Sequence, residues 1–389
     1  MAETPTARRL IEPPTLHDAT RVVRAALTAS EPGSPFTAGP VFAAAFHAAG
    51  DPSASPYSYA RHHNPTWTVF EHAVGELEGG QALVFASGMA AVTATLGVVL
   101  RSGDAVVMPS DSYYTARVLV DGFFAAMGVE VRRAPTVGSA QLDLLAGARL
   151  LWLETPTNPG LDVCDLRRLT AAAHAAGALV AVDNTTATPL GQRPLAFGAD
   201  FSVSSDTKAL TGHADVILGH VAVSSQEWYE RLRAWRNQTG SIAGPMEVWL
   251  AIRALATLDM RLERQCANAL GIATFLSSRP DVTGLRYPGL AFDPAHTLAA
   301  SQMQRFGSVI AFVLESRQHA ERFFAASRLI TEATSFGGVH TSAERRARWG
   351  GDAVAEGFIR LSAGCEALPD LLADLGQALE SAAGASVSR

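Results

Sequence analysis

One side chain in this sequence has no duplicate. Of the 31 lysines and arginines, 30 are arginine and only Lys208 is lysine. A guanidinium stays protonated and cannot act as an amine nucleophile, whereas a lysine amine can form an imine with a carbonyl group. A chain that uses arginine at every other cationic position therefore points to amine chemistry at this one. Lys208 stands in "SSDTKALTGHADV", after an apolar run and close to Ser205 and Thr207, whose hydroxyls can reach an anion beside the amine.

Further polar residues end other apolar runs. In "FASGMAA", Ser87, Gly88 and Met89 lead from a strand-like run into a helix-like one. The free N–H groups of such a helix start bind phosphate, and the same residues also serve as a plain helix cap. Asp183 closes "ALVAVDN", where a buried carboxylate needs either a charged partner or a turn to cap. Glu154 and Asn158 leave a third run through "WLETPTNPG", a double-proline turn that by itself accounts for an asparagine. Taken together, an amine, an anion cradle and a carboxylate are the parts needed to hold pyridoxal phosphate. The lysine bonds the aldehyde, the helix start and hydroxyls take the phosphate, and the carboxylate keeps the ring nitrogen protonated. Neither a Walker pattern nor a GxGxxG at a first strand is present, so nucleotide readings lack their fingerprints.

These residues need a scaffold that brings strand ends together. From residue 81 onward short apolar runs alternate with helical segments: "ALVFAS", "GMAAVTATLGVVL", "DAVVMPS", a helix over 114–127, "VEVRRAP", "RLLWLE", a helix over 165–176, "ALVAVDN", "DFSVSSD" and "VILGHVAVS". That alternation predicts an α/β fold with a mainly parallel sheet covered on both faces and ligands bound outside the carboxyl ends of its strands. A long helical stretch follows 243–245, with Leu250, Leu255, Leu258, Leu262 and Leu270 at roughly helical spacing. It leads to a second, α+β unit with "SVIAFVLE", a helix near 318–328, "FIRLSAG" and a closing amphipathic helix over 367–384. Residues 1 to about 60, rich in Pro, Ser, Thr and Gly, read as an extended arm.

Composition limits the function classes. At 389 residues two domains are expected, and 48% hydrophobic with 17% charged residues describes a globular protein with a sizeable core. A net charge of -6 offers no footprint for nucleic acid. Cys164, Cys266 and Cys365 are widely spaced and form no CxxC pair, which speaks against disulfides or a structural metal site. With no apolar leader and no membrane-length run, the expected location is the cytoplasm, and "NQT" at 237–239 then carries no glycan.

Six motifs appear in order: "YARHHNPT" at 59–66, "SGMAA" at 87–91, "ETPTNP" at 154–159, "VDNTTATP" at 182–189, "SDTKALTGHADV" at 205–216 and "RLSAGCE" at 360–366. In these the chain, over roughly 55–385, resembles the Cys/Met-metabolism family of pyridoxal-phosphate enzymes, which includes cystathionine γ-synthases, cystathionine γ- and β-lyases and methionine γ-lyases. The resemblance implies a fold-type I pyridoxal-phosphate enzyme, with a seven-stranded large domain over 61–245, a linker helix and small domain over 246–389, and an arm over 1–60 that reaches a neighbouring subunit. It implies Lys208 as the imine-forming lysine, Asp183 as the ring-nitrogen partner and Asn158 as the contact to the ring hydroxyl. Ser87, Gly88, Met89, Ser205 and Thr207 would hold the phosphate, joined by Tyr59 and Arg61 from the neighbour, in a homotetramer built from two active-site-sharing dimers. The stacking tyrosine lies in "DSYYTARV", with Tyr113 preferred to Tyr114, and Arg360 and Ser335 would clamp the substrate carboxylate.

The activity implied is γ-elimination from cystathionine, with γ-replacement on an O-acyl-homoserine, methionine γ-elimination or a role in secondary metabolism as alternatives, and a non-catalytic cofactor-binding protein as a remote one. Ser58, His340 and the segment "SAERRARWGGDAVAEG" depart from the usual pattern around the substrate side chain and leave the leaving group open. The 340–366 region is most similar to the cystathionine γ-lyase-type branch of high-GC actinobacteria.

Overall fold

Apolar runs without a polar face fold as strands buried on both sides, and the chain between them returns as helices. In a computed structural model that describes residues 16–28, 31–51 and 55–384, this pattern produces two sheets. The strands of the first are β1 (Gln81–Phe85), β2 (Ala105–Pro109), β3 (Glu130–Ala134), β4 (Ala148–Glu154), β5 (Leu179–Asp183), β6 (Phe201–Ser204) and β7 (Gly219–Val223). Their order is β1-β7-β6-β5-β4-β2-β3. Neighbours from β3 to β6 pair in parallel, while β7 runs antiparallel to both β1 and β6. Every residue of β2, β6 and β7 is buried, which accounts for the lack of polar alternation in those runs. The fold is thus the expected α/β architecture with a mainly parallel seven-stranded sheet.

The second sheet contains β8 (Thr283–Arg286), β9 (Val309–Val313), β10 (Thr331–Glu332), β11 (Ser342–Arg345) and β12 (Phe358–Ser362), in the order β10-β11-β12-β9-β8. Helices Leu258–Ser277, Arg317–Ala326 and Leu368–Gly384 cover it, with Ile272, Phe312, Phe323, Ile359 and Leu375 in a shared core.

Three local features differ from the sequence expectation. The stretch after 243–245 is two helices, Pro245–Leu255 and Leu258–Ser277, not one. At the break the Ala254 carbonyl accepts from the Thr257 N–H and hydroxyl and from Arg261, whose guanidinium also holds the carbonyls of Ala209 and Leu210. The expected helix over 114–127 contains a wide turn at Val120–Phe124 after a regular segment at Tyr114–Leu119. Within the arm, a helix forms at Asp18–Arg24, pinned by Val22 in the core and by an ion pair between Asp18 and Arg193. The arm's residues 1–15, 29–30 and 52–54 lie outside the described residues. Among the described residues no helix is long and apolar enough to cross a membrane.

Candidate active site

Because β1, β2, β4, β5 and β6 share one direction, their carboxyl ends reach the same sheet edge. The segments that leave them, at Ser87, Tyr113, Asn158, Asp183 and Ser205–Lys208, line one cavity together with Phe336. Lys208 follows β6 in a tight turn in which its N–H bonds the Ser205 carbonyl and its own carbonyl accepts from Gly212. Its Nζ donates to Ser335 Oγ at 2.7 Å and lies 5.4 Å from the centre of the Phe336 ring. Burial, and after it the charge of Arg360, lowers the amine to about 8, with Glu344 and Asp183 acting in the opposite sense.

Asp183 ends β5 directly beside Glu154 at the end of β4. Burial pushes the Asp183 carboxyl up, while the Thr185 hydrogen bonds and the Lys208 charge draw it down. Glu154 is held well above the ordinary carboxylate range by burial and by the Asp183 charge. It accepts the N–H groups of Tyr113 and Asn158, each at 2.7 Å, and so fixes two loops that deliver side chains to the cavity. In the sequence Glu154 gave no signal beyond its place at a strand end.

The opposite wall is a backbone cradle. Ser87 caps the helix Gly88–Val99 by accepting from the Ala90 N–H, which leaves the N–H groups of Gly88 and Met89 without acceptors inside the helix. A Cβ on Gly88 would lie 2.6 Å from Ser205 Cβ, and one on Gly219 would lie 2.6 Å from the Ser87 carbonyl oxygen. Only glycines allow these three segments to close this far, and the result suits a phosphate. Thr207 lines the same cavity, though its hydroxyl donates to the Leu218 carbonyl and accepts from the Leu218 N–H. An aldehyde-reactive amine, a carboxylate lining the same cavity and this cradle together fit the expected pyridoxal phosphate.

Arg360, from the centre of β12, is buried with Nη1 2.6 Å from Asn158 Oδ1 and Nη2 2.7 Å from the Ser335 carbonyl. Its Nε is buried with no partner among the described residues. Ser335 itself has φ 80°, a left-handed conformation uncommon for a residue with a side chain. Directly opposite Arg360, on β11, the buried Glu344 forms an ion pair with it. Burial alone would raise Glu344, but Arg360, the Trp349 N–H and Arg346 together hold its carboxyl below the usual range. Asp352 bridges Arg346 to Arg117, which extends the charged line to the helix that starts at Tyr114. Glu344, Arg346, Trp349 and Asp352 all come from the departing segment "SAERRARWGGD", whose three arginines between two acids were the available hint.

The two tyrosines part company: Tyr113 lines the cavity, while Tyr114 packs on Gly351 and the Arg117 guanidinium. Tyr59 and Arg61 do not reach this cavity in their own chain. Both are exposed, with Arg61 donating to the Asn237 carbonyl and stacked 5.6 Å from the Tyr59 ring centre. Ser58 shares a separate polar hollow with Arg61, and His340 is exposed.

Known proteins share these features. A family model for Cys/Met metabolism PLP-dependent enzymes matches residues 34–380. A Streptomyces coelicolor protein named "Putative cystathionine gamma-lyase" is 58% identical over 368 residues, which is 93% of this chain and 93% of the relative. The cystathionine gamma-lyase of Bacillus subtilis is 39% identical over 83% of this chain and 89% of its own. Among solved structures, cystathionine gamma synthase from Xanthomonas oryzae pv. oryzae in complex with aminoacrylate and cysteine has a TM-score of 0.91 at 35% identity, covering 95% of this chain and 99% of that chain.

Proposed function

The chain belongs to the Cys/Met metabolism PLP-dependent enzyme family, and on that premise we propose that it splits cystathionine at the γ-carbon–sulfur bond, consuming water and giving cysteine, 2-oxobutyrate and ammonia. Pyridoxal phosphate, when bound, supplies an electron sink for the pair left at Cα after proton removal. The Lys208 amine would hold the cofactor and would serve as the base that takes the Cα proton of the bound substrate and then moves a proton at Cβ. An amine lowered to about 8 has a minor but appreciable neutral fraction near physiological pH, far more than a free lysine side chain, as a base needs. Asp183 holds the proton on the ring nitrogen, and Asn158 orients the ring hydroxyl. Ser87, Gly88, Met89 and Ser205 bind the phosphate beside Thr207, whose hydroxyl holds Leu218, and Arg360 with Ser335 binds the substrate carboxylate. Tyr113, which lines the cavity, would pack against the cofactor and would supply a proton to the departing sulfur.

The observation that carries this reading is the line Lys208–Ser335–Arg360–Asn158, in which base, carboxylate clamp and ring contact are joined by hydrogen bonds of 2.6 to 2.7 Å. Elimination from cystathionine is favoured because the relative at 58% identity bears a lyase name. The Xanthomonas synthase likeness favours a second reading, γ-replacement on an O-acyl-homoserine. Tyr59 and Arg61 complete a neighbouring subunit's phosphate site in a cytoplasmic homotetramer. The test is to incubate the purified protein with L-cystathionine and measure 2-oxo acid and free thiol. Both products are expected. If neither appears, elimination is overturned, and formation of cystathionine from O-acyl-homoserine and cysteine would establish replacement. A chain inert in both assays would be a cofactor-binding protein without this catalysis.

A further inference from the structure

Behind the lysine turn, on the side away from the cavity, lies a charge cluster with no exposed surface. His220 on β7 places Nδ1 2.6 Å from Asp206 Oδ1 and Nε2 3.2 Å from Glu78 Oε1, and all three side chains are wholly buried. An imidazole with a carboxylate at each nitrogen donates from both, so it is an imidazolium between two acids. Asp206 Oδ2 and Glu78 Oε2 are also buried and have no partner among the described residues. Replacing such a cluster by apolar side chains is often neutral or stabilising, so its presence calls for a role other than stability.

Its position supplies one. Asp206 lies between Ser205 and Thr207, two residues before Lys208. Its carbonyl accepts the N–H and hydroxyl of Thr211, and Thr207 is stitched to Leu218 through both main chain and hydroxyl. The turn that carries the amine is thus fastened to the start of β7 at two successive residues. β7 is itself wedged between β1 and β6, with His220 in register with Val84 and Ser204, just before those strands release Ser87 and Ser205. Glu78, at the end of helix Pro65–Glu78, anchors the imidazolium from the far side.

We propose that Asp206 and His220 are positioning residues of the cofactor site: the imidazolium, anchored by Glu78, ties the Ser205–Lys208 turn to β7 and sets the amine and the Ser205 hydroxyl against the Ser87–Met89 cradle. The proposal rests on the reading that Lys208 and this cradle hold pyridoxal phosphate. Asp206→Ala leaves a charge-balanced His220–Glu78 pair, and His220→Gln reaches the turn only through Asp206. Both are measured as full-length protein for the pyridoxal phosphate dissociation constant after stripping, for the pH midpoint of the bound cofactor's absorbance, and separately for melting temperature. Each variant is expected to weaken cofactor binding about tenfold or more and to shift that midpoint, because small misplacements of a positioned group are costly. Asp206→Asn, which keeps an acceptor at the imidazole, should recover binding to within about threefold of wild type. Should Asp206→Ala not fold, His220→Gln decides. Variants that bind with wild-type affinity and midpoint, whatever their melting temperature, reduce the cluster to a stability element and overturn the proposal. Borohydride reduction of the wild type, followed by peptide mapping, checks the underlying reading independently, since a cofactor fixed elsewhere than Lys208 would sink that reading alone.

Discussion

Arg360 and Glu344 stand directly opposite each other on adjacent antiparallel strands and form a buried ion pair, and the same carboxylate also takes Arg346. One buried anion therefore serves two buried cations. Breaking such a pair from the anionic side leaves uncompensated charge, so Glu344→Ala should cost about 3–5 kcal/mol in urea denaturation. Arg346→Met keeps the Arg360–Glu344 pair and should cost clearly less. Equal losses would mean that the two cations do not share Glu344 energetically.

Lys208→Ala and Lys208→Arg should both abolish turnover, because neither side chain can bond an aldehyde. Mass spectrometry after borohydride reduction should find cofactor attached to the wild type and to neither variant. Residual turnover in Lys208→Arg would show that a different group acts as the base.

The Lys208 amine also has a pH signature in the cofactor-free protein. It titrates at about 8 when folded, against 10.5 for the free side chain, so between those values the unfolded chain binds more protons. Stability at this site therefore rises as pH increases from about 8 to 10.5, and below 8 the penalty of burying the cation is fully present. The difference in unfolding free energy between wild type and Lys208→Met should move by about 2–3 kcal/mol in favour of wild type from pH 7.5 to 10.5. A pH-independent difference would contradict the buried setting of the amine.

Gly88→Ala places a methyl group 2.6 Å from Ser205 Cβ, in the mouth of the cradle. The helix should persist, since alanine is a good helix former. Cofactor affinity, read by titrating stripped protein, should fall by about tenfold or more as the cradle opens. Unchanged affinity would place the phosphate elsewhere.

Tyr113→Phe should slow elimination by roughly 100-fold, the usual worth of a positioned proton donor. Tyr114→Phe, whose ring packs on Gly351 and Arg117 outside the cavity, should stay within about twofold for the same reason. The reverse ranking, in steady-state kinetics, would exchange the two assignments.

Much of the layout was legible because it reduces to residue type and place. Asp183, Asn158 and Lys208 each end or follow an apolar run, and runs of that kind fold as parallel strands with a common ligand-facing edge. The direction of β7 was not legible, since an apolar run reads the same either way. Nor were the pairings Glu344–Arg360 and Glu78–His220, because partners so distant in sequence leave no spacing pattern. The helix Asp18–Arg24 was hidden for a different reason. It is too short to show periodicity or to stand alone, and it depends on the distant Arg193 and on the core around Val22.

The reversed strand β7 also sets an order in time. Among the described residues β1 pairs with β7 alone, so Gln81 waits for Val223, about 140 residues further along the chain, before its edge of the sheet can close. A ribosome adds residues at roughly 5–20 per second, so the Ser87–Met89 segment spends roughly 7–28 seconds without its neighbours. Arg360 and Ser335 follow later still, with the second sheet. The nascent chain thus closes the Ser87–Met89 cradle only after the Ser205–Lys208 turn has been made.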